Sequence, residues 1–229
     1  MNEGKILVFA RAPVPGKAKT RLIPALGLEG AAKLHAQLVI QTLNTVCGLH
    51  EHPVELWCTP DTNHDFFQSC TKEFNIKLHL QQGEDLGARM HHAFSSALHS
   101  HSWAILLGTD CPNLSTGDLI QAISTMQSGA EAVVGPAFDG GYYLLGLREP
   151  AATLFEDMPW GTSEVLDLTL QRLHNLGRKS ESIPWQQDLD RPEDLKYFHS
   201  LPEWIRQRNG HCAATDSTAP GSTDSTAPT

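Results

Sequence analysis

Apolar positions along this chain switch between short unbroken runs and helical spacing. Residues 6–10 form an apolar run of strand length, and residues 29–47 repeat Leu34, Leu38, Leu43 and Val46 at near-helical steps. The chain therefore opens as strand, loop, helix. A second strand is predicted at 54–58, a helix near 61–74, an extended piece at 76–80, and a helix with Leu86, Met90, Ala93 and Ala97 on one face. Residues 103–107 are again wholly apolar. A helix bearing Leu119, Ile123 and Met126 follows, then strands at 132–134 and 142–147, a helix bearing Leu166, Leu170 and Leu173, and a short helix after Pro192.

Strands alternating with helices predict a three-layer α/β sandwich with a mainly parallel sheet. The strands near 132 and 142 are joined by a short glycine-rich connection, which predicts one antiparallel pairing and so a mixed sheet. Residues 1–205 are expected to form one domain. Residues 206–229 are expected to be a tail: from Ala213 the chain is nearly all Ser, Thr, Ala, Pro, Gly and Asp, with DSTAP twice, a composition that cannot bury a core and predicts disorder.

At 229 residues with 40% hydrophobic content, the chain can build one sizeable core. It has no apolar run of membrane-spanning length and no signal-peptide pattern at its start, so a cytoplasmic location without membrane insertion is expected. Five cysteines without C-x-x-C or zinc spacing predict reduced thiols. Twelve histidines without a ligand spacing are read as surface residues. A net charge of -9 argues against nucleic-acid or anionic-membrane binding. The distribution says more: no carboxylate lies between Glu3 and Glu29, whereas Lys5, Arg11, Lys17, Lys19 and Arg21 all do.

The last four sit in FARAPVPGKAKTRL, residues 9–22, directly after the first strand. By charge alone a solvated basic loop fits better than a phosphate site. It is not a Walker A loop, which needs Gly where Arg11 stands and Ser or Thr where Ala18 stands, and no G-x-G-x-x-G follows the first strand. LLGTDCP, residues 106–112, ends a buried strand on Asp110, and ligands of open α/β sheets collect beyond strand carboxyl ends. Asp110 is thus a candidate ligand for Mg²⁺ or Mn²⁺, which take carboxylate, phosphate and water oxygens; the competing role is a helix cap, which Ser115 or Thr116 fills more naturally.

In GPAFDGGYYLLGL, residues 135–147, Asp139 precedes Gly140 and Gly141, which can let a ligand approach the backbone closely, although spacing alone favours a plain hairpin turn. DLDRPEDL, residues 188–195, places Asp188 and Asp190 on one face if extended, and one of them can complete a metal site; capping of the next helix is the alternative for Asp190. Arg89, in the first turns of its helix, can contact a base or phosphate, and Trp160 can stack on a sugar face; a plain helix start and a half-buried core Trp are the competing readings.

The ordered set P-x-P-G-x-x-K-T-R-L, G-T-D-x-P, G-P-A-x-D-G-G-Y-Y-L-L-G-L and D-x-D-x-P-E-D-L, spanning about residues 5–198, resembles a bacterial family long labelled a domain of unknown function. That family is usually described as glycosyltransferase-like, and some members are named for arsenosugar biosynthesis. The resemblance implies a nucleotide-diphospho-sugar transferase (GT-A) fold and a metal-dependent transferase using a nucleoside-diphosphate sugar and a small-molecule acceptor. The wider superfamily is similar to phospholactate and molybdenum-cofactor guanylyltransferases, so nucleotidyl transfer from an NTP to a phosphorylated small molecule is the main alternative, and a non-catalytic nucleotide-binding module is a third. The chain lacks a glycine-rich opening before Arg11, a departure from the nucleotidyltransferase pattern that favours glycosyl transfer. Carried over by position, the resemblance implies Arg11, Lys19 and Arg21 at the nucleotide phosphates and Asp110 with Asp188 or Asp190 on Mg²⁺ or Mn²⁺; Lys17 is a further donor of the same loop, and Lys19 is also a catalytic candidate. The resemblance puts Asp139, Gly140 and Gly141 on the acceptor or sugar side; for glycosyl transfer Asp139 is then the candidate for acceptor positioning or general base. Oligomeric state has no signal in the sequence.

Overall fold

The computed structural model describes residues 3–197. Seven strands form one sheet in the order β3-β2-β1-β4-β6-β5-β7. In chain order they are β1 (Gly4–Arg11), β2 (Val54–Thr59), β3 (Lys77–Leu80), β4 (Trp103–Leu107), β5 (Ala132–Pro136), β6 (Tyr142–Leu147) and β7 (Ser180–Ser182). β6 runs antiparallel to β4 on one side and β5 on the other, and every other pairing is parallel. The expected mixed, mainly parallel sheet is therefore present, with one antiparallel pairing more than the pattern predicted. That extra pairing arises because the β5–β6 hairpin inserts β6 next to β4, leaving β5 parallel to β4 one place further out.

Five α-helices cover the sheet: α1 (Ile23–Cys47), α2 (Asp65–Phe74), α3 (Leu86–Leu98), α4 (Thr116–Gln127) and α5 (Val165–Asn175). Side chains alternate across a strand, so β1 feeds two cores. Ile6, Val8 and Ala10 pack with Val39, Leu43, Phe67, Leu119 and Ile123 of α1, α2 and α4. Leu7 and Phe9 pack with Met90, Phe94, Leu166 and Leu173 of α3 and α5. Burial on both faces is why β1 and β4 read as unbroken apolar runs. This is the three-layer α/β sandwich expected from the sequence.

Element bounds differ from the pattern for local reasons. α1 is assigned from Ile23, six residues before its expected start, but Gly27 at φ 74°, ψ 171° breaks the helix there and the regular part begins near Glu29. The helix expected from residue 61 starts at Asp65, capped by His64, whose ring nitrogen accepts from the Phe66 N–H. The segment after Pro192 is a 3-10 helix, Pro192–Tyr197. Strand β7 and the 3-10 turns Thr20–Leu22 and Ala152–Leu154 carry no periodic signal, being three residues each. The expected domain boundary at 205 and the tail beyond it lie outside the described residues.

Candidate functional site at the strand carboxyl ends

Because β1, β4, β5 and β7 point the same way, the segments that leave them emerge at one sheet edge. β1 and β4 are adjacent, yet β1 is followed by β2 on its other side, so a topological switch point lies between them. Open α/β sheets bind ligands in the crevice at that point. The basic loop leaves β1 here, Asp110 follows β4, Asp139 follows β5, and Asp188 with Asp190 follows β7.

Backbone contacts hold these segments together. The Leu189 N–H donates to the Asp110 carbonyl at 2.8 Å, the Gln186 N–H to the Pro136 carbonyl at 3.0 Å, and the Phe138 N–H to the Gln186 carbonyl at 3.1 Å. Gln186 also donates through Nε2 to Asp118 Oδ2 at 3.1 Å. Asp118 is itself half of a capping box: the Ser115 side chain accepts the Asp118 N–H, and the Asp118 carboxylate accepts the Ser115 N–H. The start of α4 thus anchors the segment carrying Asp188, and Ser115 holds the cap that Asp110 competed for.

Lys19 is the centre of the cluster. It stands at φ 47°, ψ 46°, a left-handed conformation ahead of the Thr20–Leu22 turn that brings its side chain inward. Its Nζ lies 2.7 Å from Asp110 Oδ1 and 3.8 Å from Asp190 Oδ1, and donates to the Leu189 carbonyl at 2.5 Å. Only 4% of the Lys19 side chain is exposed, against 53% for Asp110. Arg21 pairs with Asp190 Oδ2. The sequence reading placed Lys19 and Arg21 on substrate phosphate; the structure spends both on carboxylates, because the loop folds back over the strand ends. The side chains of Arg11 and Lys17 are exposed and make no hydrogen bond or ion pair among the described residues.

The charges are unevenly compensated. Removal from solvent opposes ionisation of Asp110, but the Lys19 ammonium outweighs it by charge and hydrogen bond and holds the carboxyl below its usual range. Asp188 is pushed up to about 6, first by burial and then by the Asp139 carboxylate. The Asp110, Asp188 and Asp139 charges all reach the buried Cys111 thiol, which burial above all pushes far up. One face of the cluster is therefore neutralised by Lys19 and Arg21, and the other carries surplus carboxylate. The surplus suits a divalent cation held by one or two carboxylates, with substrate and water oxygens completing its shell. The described residues contain no ready-made group of three ligating His, Cys, Asp or Glu side chains, so such an ion would take part of its shell from the substrate.

The remaining predicted residues have mixed placements. Asp139 is exposed and its Oδ1 accepts the Gly141 N–H at 2.8 Å, so the turn reading and a solvent-facing carboxylate both hold. Gly140 is at φ 89°, and a side chain there would meet the Ser163 backbone at 2.4 Å. Packing against the segment that leads into α5 therefore accounts for a glycine at this position. Trp160 is partly buried against the Leu7 and Phe9 core and lies over Gly87, the half-buried core arrangement and not an open stacking face. Arg89 donates through Nε to the Gly83 carbonyl and so braces the loop before its own helix.

The histidines are not all surface residues. His35 is buried, its Nε2 donates to the Arg11 carbonyl at 2.9 Å, and burial lowers its pKa despite the nearby Asp110 charge. It is a neutral brace under the basic loop. Its signal was the second buried row of α1, Ala31, His35, Val39 and Thr42, at helical steps. His79 and His92 likewise pack on Trp57.

Residues 42–162 match the family described as uncharacterized proteins conserved in bacteria (DUF2064), more than half of the chain and a span that includes Asp110 and Asp139. The solved structure of a candidate nucleotide-diphospho-sugar transferase from Desulfovibrio desulfuricans G20 is 28% identical, covers 92% of this chain and 96% of its own, and superposes with a TM-score of 0.80. An inositol-1-phosphate CTP transferase from T. maritima shares the fold at 10% identity and TM-score 0.56, covering 95% and 99%. Rv0371C from Mycobacterium tuberculosis H37Rv, in complex with manganese, shares it at 13% identity and TM-score 0.53, covering 88% and 100%. No curated protein matches the chain in sequence. With the fold shared along the described length and the family match covering more than half of the chain, this protein belongs to the DUF2064 family and has the nucleotide-diphospho-sugar transferase fold.

Proposed function

We propose that the protein is a metal-dependent glycosyltransferase that takes a nucleoside-diphosphate sugar and a small-molecule acceptor. The observation that carries this reading is the convergence of Asp110, Asp188 and Asp190 at the β1–β4 switch point, with more carboxylate there than Lys19 and Arg21 neutralise, and with the unpaired side chains of Arg11 and Lys17 on the loop that leaves β1. A bound diphosphate is well served by cationic donors together with oxygens that hold a metal. Asp110 with Asp188 or Asp190 would hold Mg²⁺ or Mn²⁺, whose chemistry is to stabilise charge developing on the leaving diphosphate. Arg11 and Lys17 donate to phosphate oxygens. Lys19 sets the positions of Asp110 and Asp190, and Asp139 accepts the proton of the acceptor hydroxyl. The manganese bound to Rv0371C and the likeness to the Desulfovibrio protein support this reading. So does the resemblance to arsenosugar-biosynthesis glycosyltransferases, which favours a small acceptor. A cytoplasmic setting accords with the described helices, none of which is long and apolar enough to cross a membrane.

Nucleotidyl transfer is a second reading, favoured by the fold shared with the CTP transferase. Incubation with Mn²⁺ and sugar-labelled nucleoside-diphosphate sugars, in parallel with NTPs and phosphorylated acceptors, separates the two. Release of nucleoside diphosphate is expected. Release of pyrophosphate would overturn the glycosyl reading, and nucleotide binding without either product would mark a non-catalytic module.

A further inference from the structure

Beside the carboxylates stands a feature that neither the diphosphate nor a metal uses. Phe138 and Trp185 are 63% and 51% exposed, and their rings lie 5.6 Å apart at a 32° tilt. Two large aromatic rings are thus left in water, where burial of their apolar surface would be favourable. The backbone beneath them is well fixed. Ala137 and Gln186 form a parallel bridge, the Phe138 N–H donates to the Gln186 carbonyl, and the Tyr143 hydroxyl donates to the Pro184 carbonyl at 3.1 Å. Ile183 and Leu189, on either side of Trp185 in sequence, are buried. The rings are thus displayed from a rigid base, next to Asp139 in sequence and three residues before Asp188.

The geometry points to an acceptor subsite: Phe138 and Trp185 form a stacking platform for an uncharged, ring-bearing polyol, a pyranoside, whose hydroxyl faces Asp139. This rests on the transferase reading above and names the acceptor class it left open. The apolar face of a pyranose stacks on an aromatic ring, and a free carboxylate accepts from its hydroxyl groups. The charge is selective. The cationic side chains of the site, Arg11, Lys17, Lys19 and Arg21, lie on the β1 loop, whereas Asp139 adjoins the platform. A phosphorylated ring would set like charges together at that end. Two side chains offer far less contact than a stable protein interface, which needs about 800 Å² per partner.

Binding of p-nitrophenyl pyranosides, and of the matching sugar 6-phosphates, can be measured on the full chain by saturation-transfer NMR and calorimetry. A nucleoside diphosphate with Mn²⁺ is titrated separately. Trp185→Ala and Phe138→Ala are exposed changes that leave the core intact. Each is expected to weaken pyranoside binding about ten-fold, the loss of one ring contact, with nucleoside diphosphate binding unchanged. Trp185→Tyr is expected to keep pyranoside affinity within about two-fold, since it retains a stacking ring. Pyranoside binding that is absent, that survives both alanine variants, or that is exceeded by the sugar phosphates would overturn the subsite. Pyranoside binding lost in the alanine variants, in a chain that fails to bind any nucleoside diphosphate, would support the subsite and overturn the donor reading instead.

Discussion

At the scale of single residues, Lys19 is the position on which the site turns. Its ammonium is nearly buried and serves Asp110, Asp190 and the Leu189 carbonyl at once. Removing one partner of a buried pair typically costs about 3–5 kcal/mol. Asp110 is half open to water and can recover hydration, so Lys19→Met is expected to destabilise the chain by about 2 kcal/mol. Urea unfolding of the variant checks this, and an unchanged midpoint would show the ammonium to be ornamental. The thiols give a second residue-scale expectation. Burial pushes Cys58 up to about 12 and Cys70 to about 11, and pushes Cys111 far above the thiol range. The thiolate is the reactive form, so at pH 8 all three stay protonated and unreactive in the folded protein. Iodoacetamide labelling at pH 8 followed by peptide mapping is expected to leave Cys58, Cys70 and Cys111 unmodified until denaturant is added; early labelling of Cys111 would contradict the packing described.

At the scale of elements, the β5–β6 hairpin joins stability to the site. Gly140 adopts a positive φ and also touches the Ser163 backbone, and its carbonyl accepts the Leu166 N–H at 2.9 Å. Gly140→Ala therefore meets both strain and a clash, and is expected to cost about 2–3 kcal/mol. Gly161 also has a positive φ, but open space surrounds it; Gly161→Ala is expected to cost only about 1 kcal/mol. Thermal unfolding of the pair separates packing from backbone strain, and equal losses would show that Ser163 yields. The same hairpin explains what the sequence could and could not reveal. Its two strands and antiparallel turn were legible, because apolar runs and Asp139-Gly140-Gly141 are local signals. The seating of β6 against β4 was not, because strand order is decided by which buried faces meet. The same limit applies at the site. Asp110 was legible from its place after an apolar strand, whereas the capture of Lys19 by Asp110 and of Arg21 by Asp190, the latter 169 positions away, was not. His35 was hidden by a different effect: a buried polar residue on an apolar helix row looks like a surface residue until its backbone partner is seen.

At the scale of the whole molecule, a strongly acidic chain gathers its early cations and its strand-end carboxylates at one edge of the sheet. Charge compensation is complete on the Lys19–Arg21 side and incomplete around Asp139 and Asp188. That imbalance is the physical basis for expecting a cation together with a diphosphate, each improving the binding of the other. It also predicts linkage in stability: a nucleoside diphosphate that binds only the folded chain raises the apparent melting temperature, and more so with Mn²⁺ present. The most direct test is calorimetric titration of a panel of nucleoside diphosphates into the wild-type chain and Asp110→Asn, each with and without Mn²⁺. The account predicts binding in the wild type that Mn²⁺ strengthens at least ten-fold, and loss of that enhancement in Asp110→Asn. Equal affinity with and without Mn²⁺, or an enhancement that survives Asp110→Asn, would contradict it.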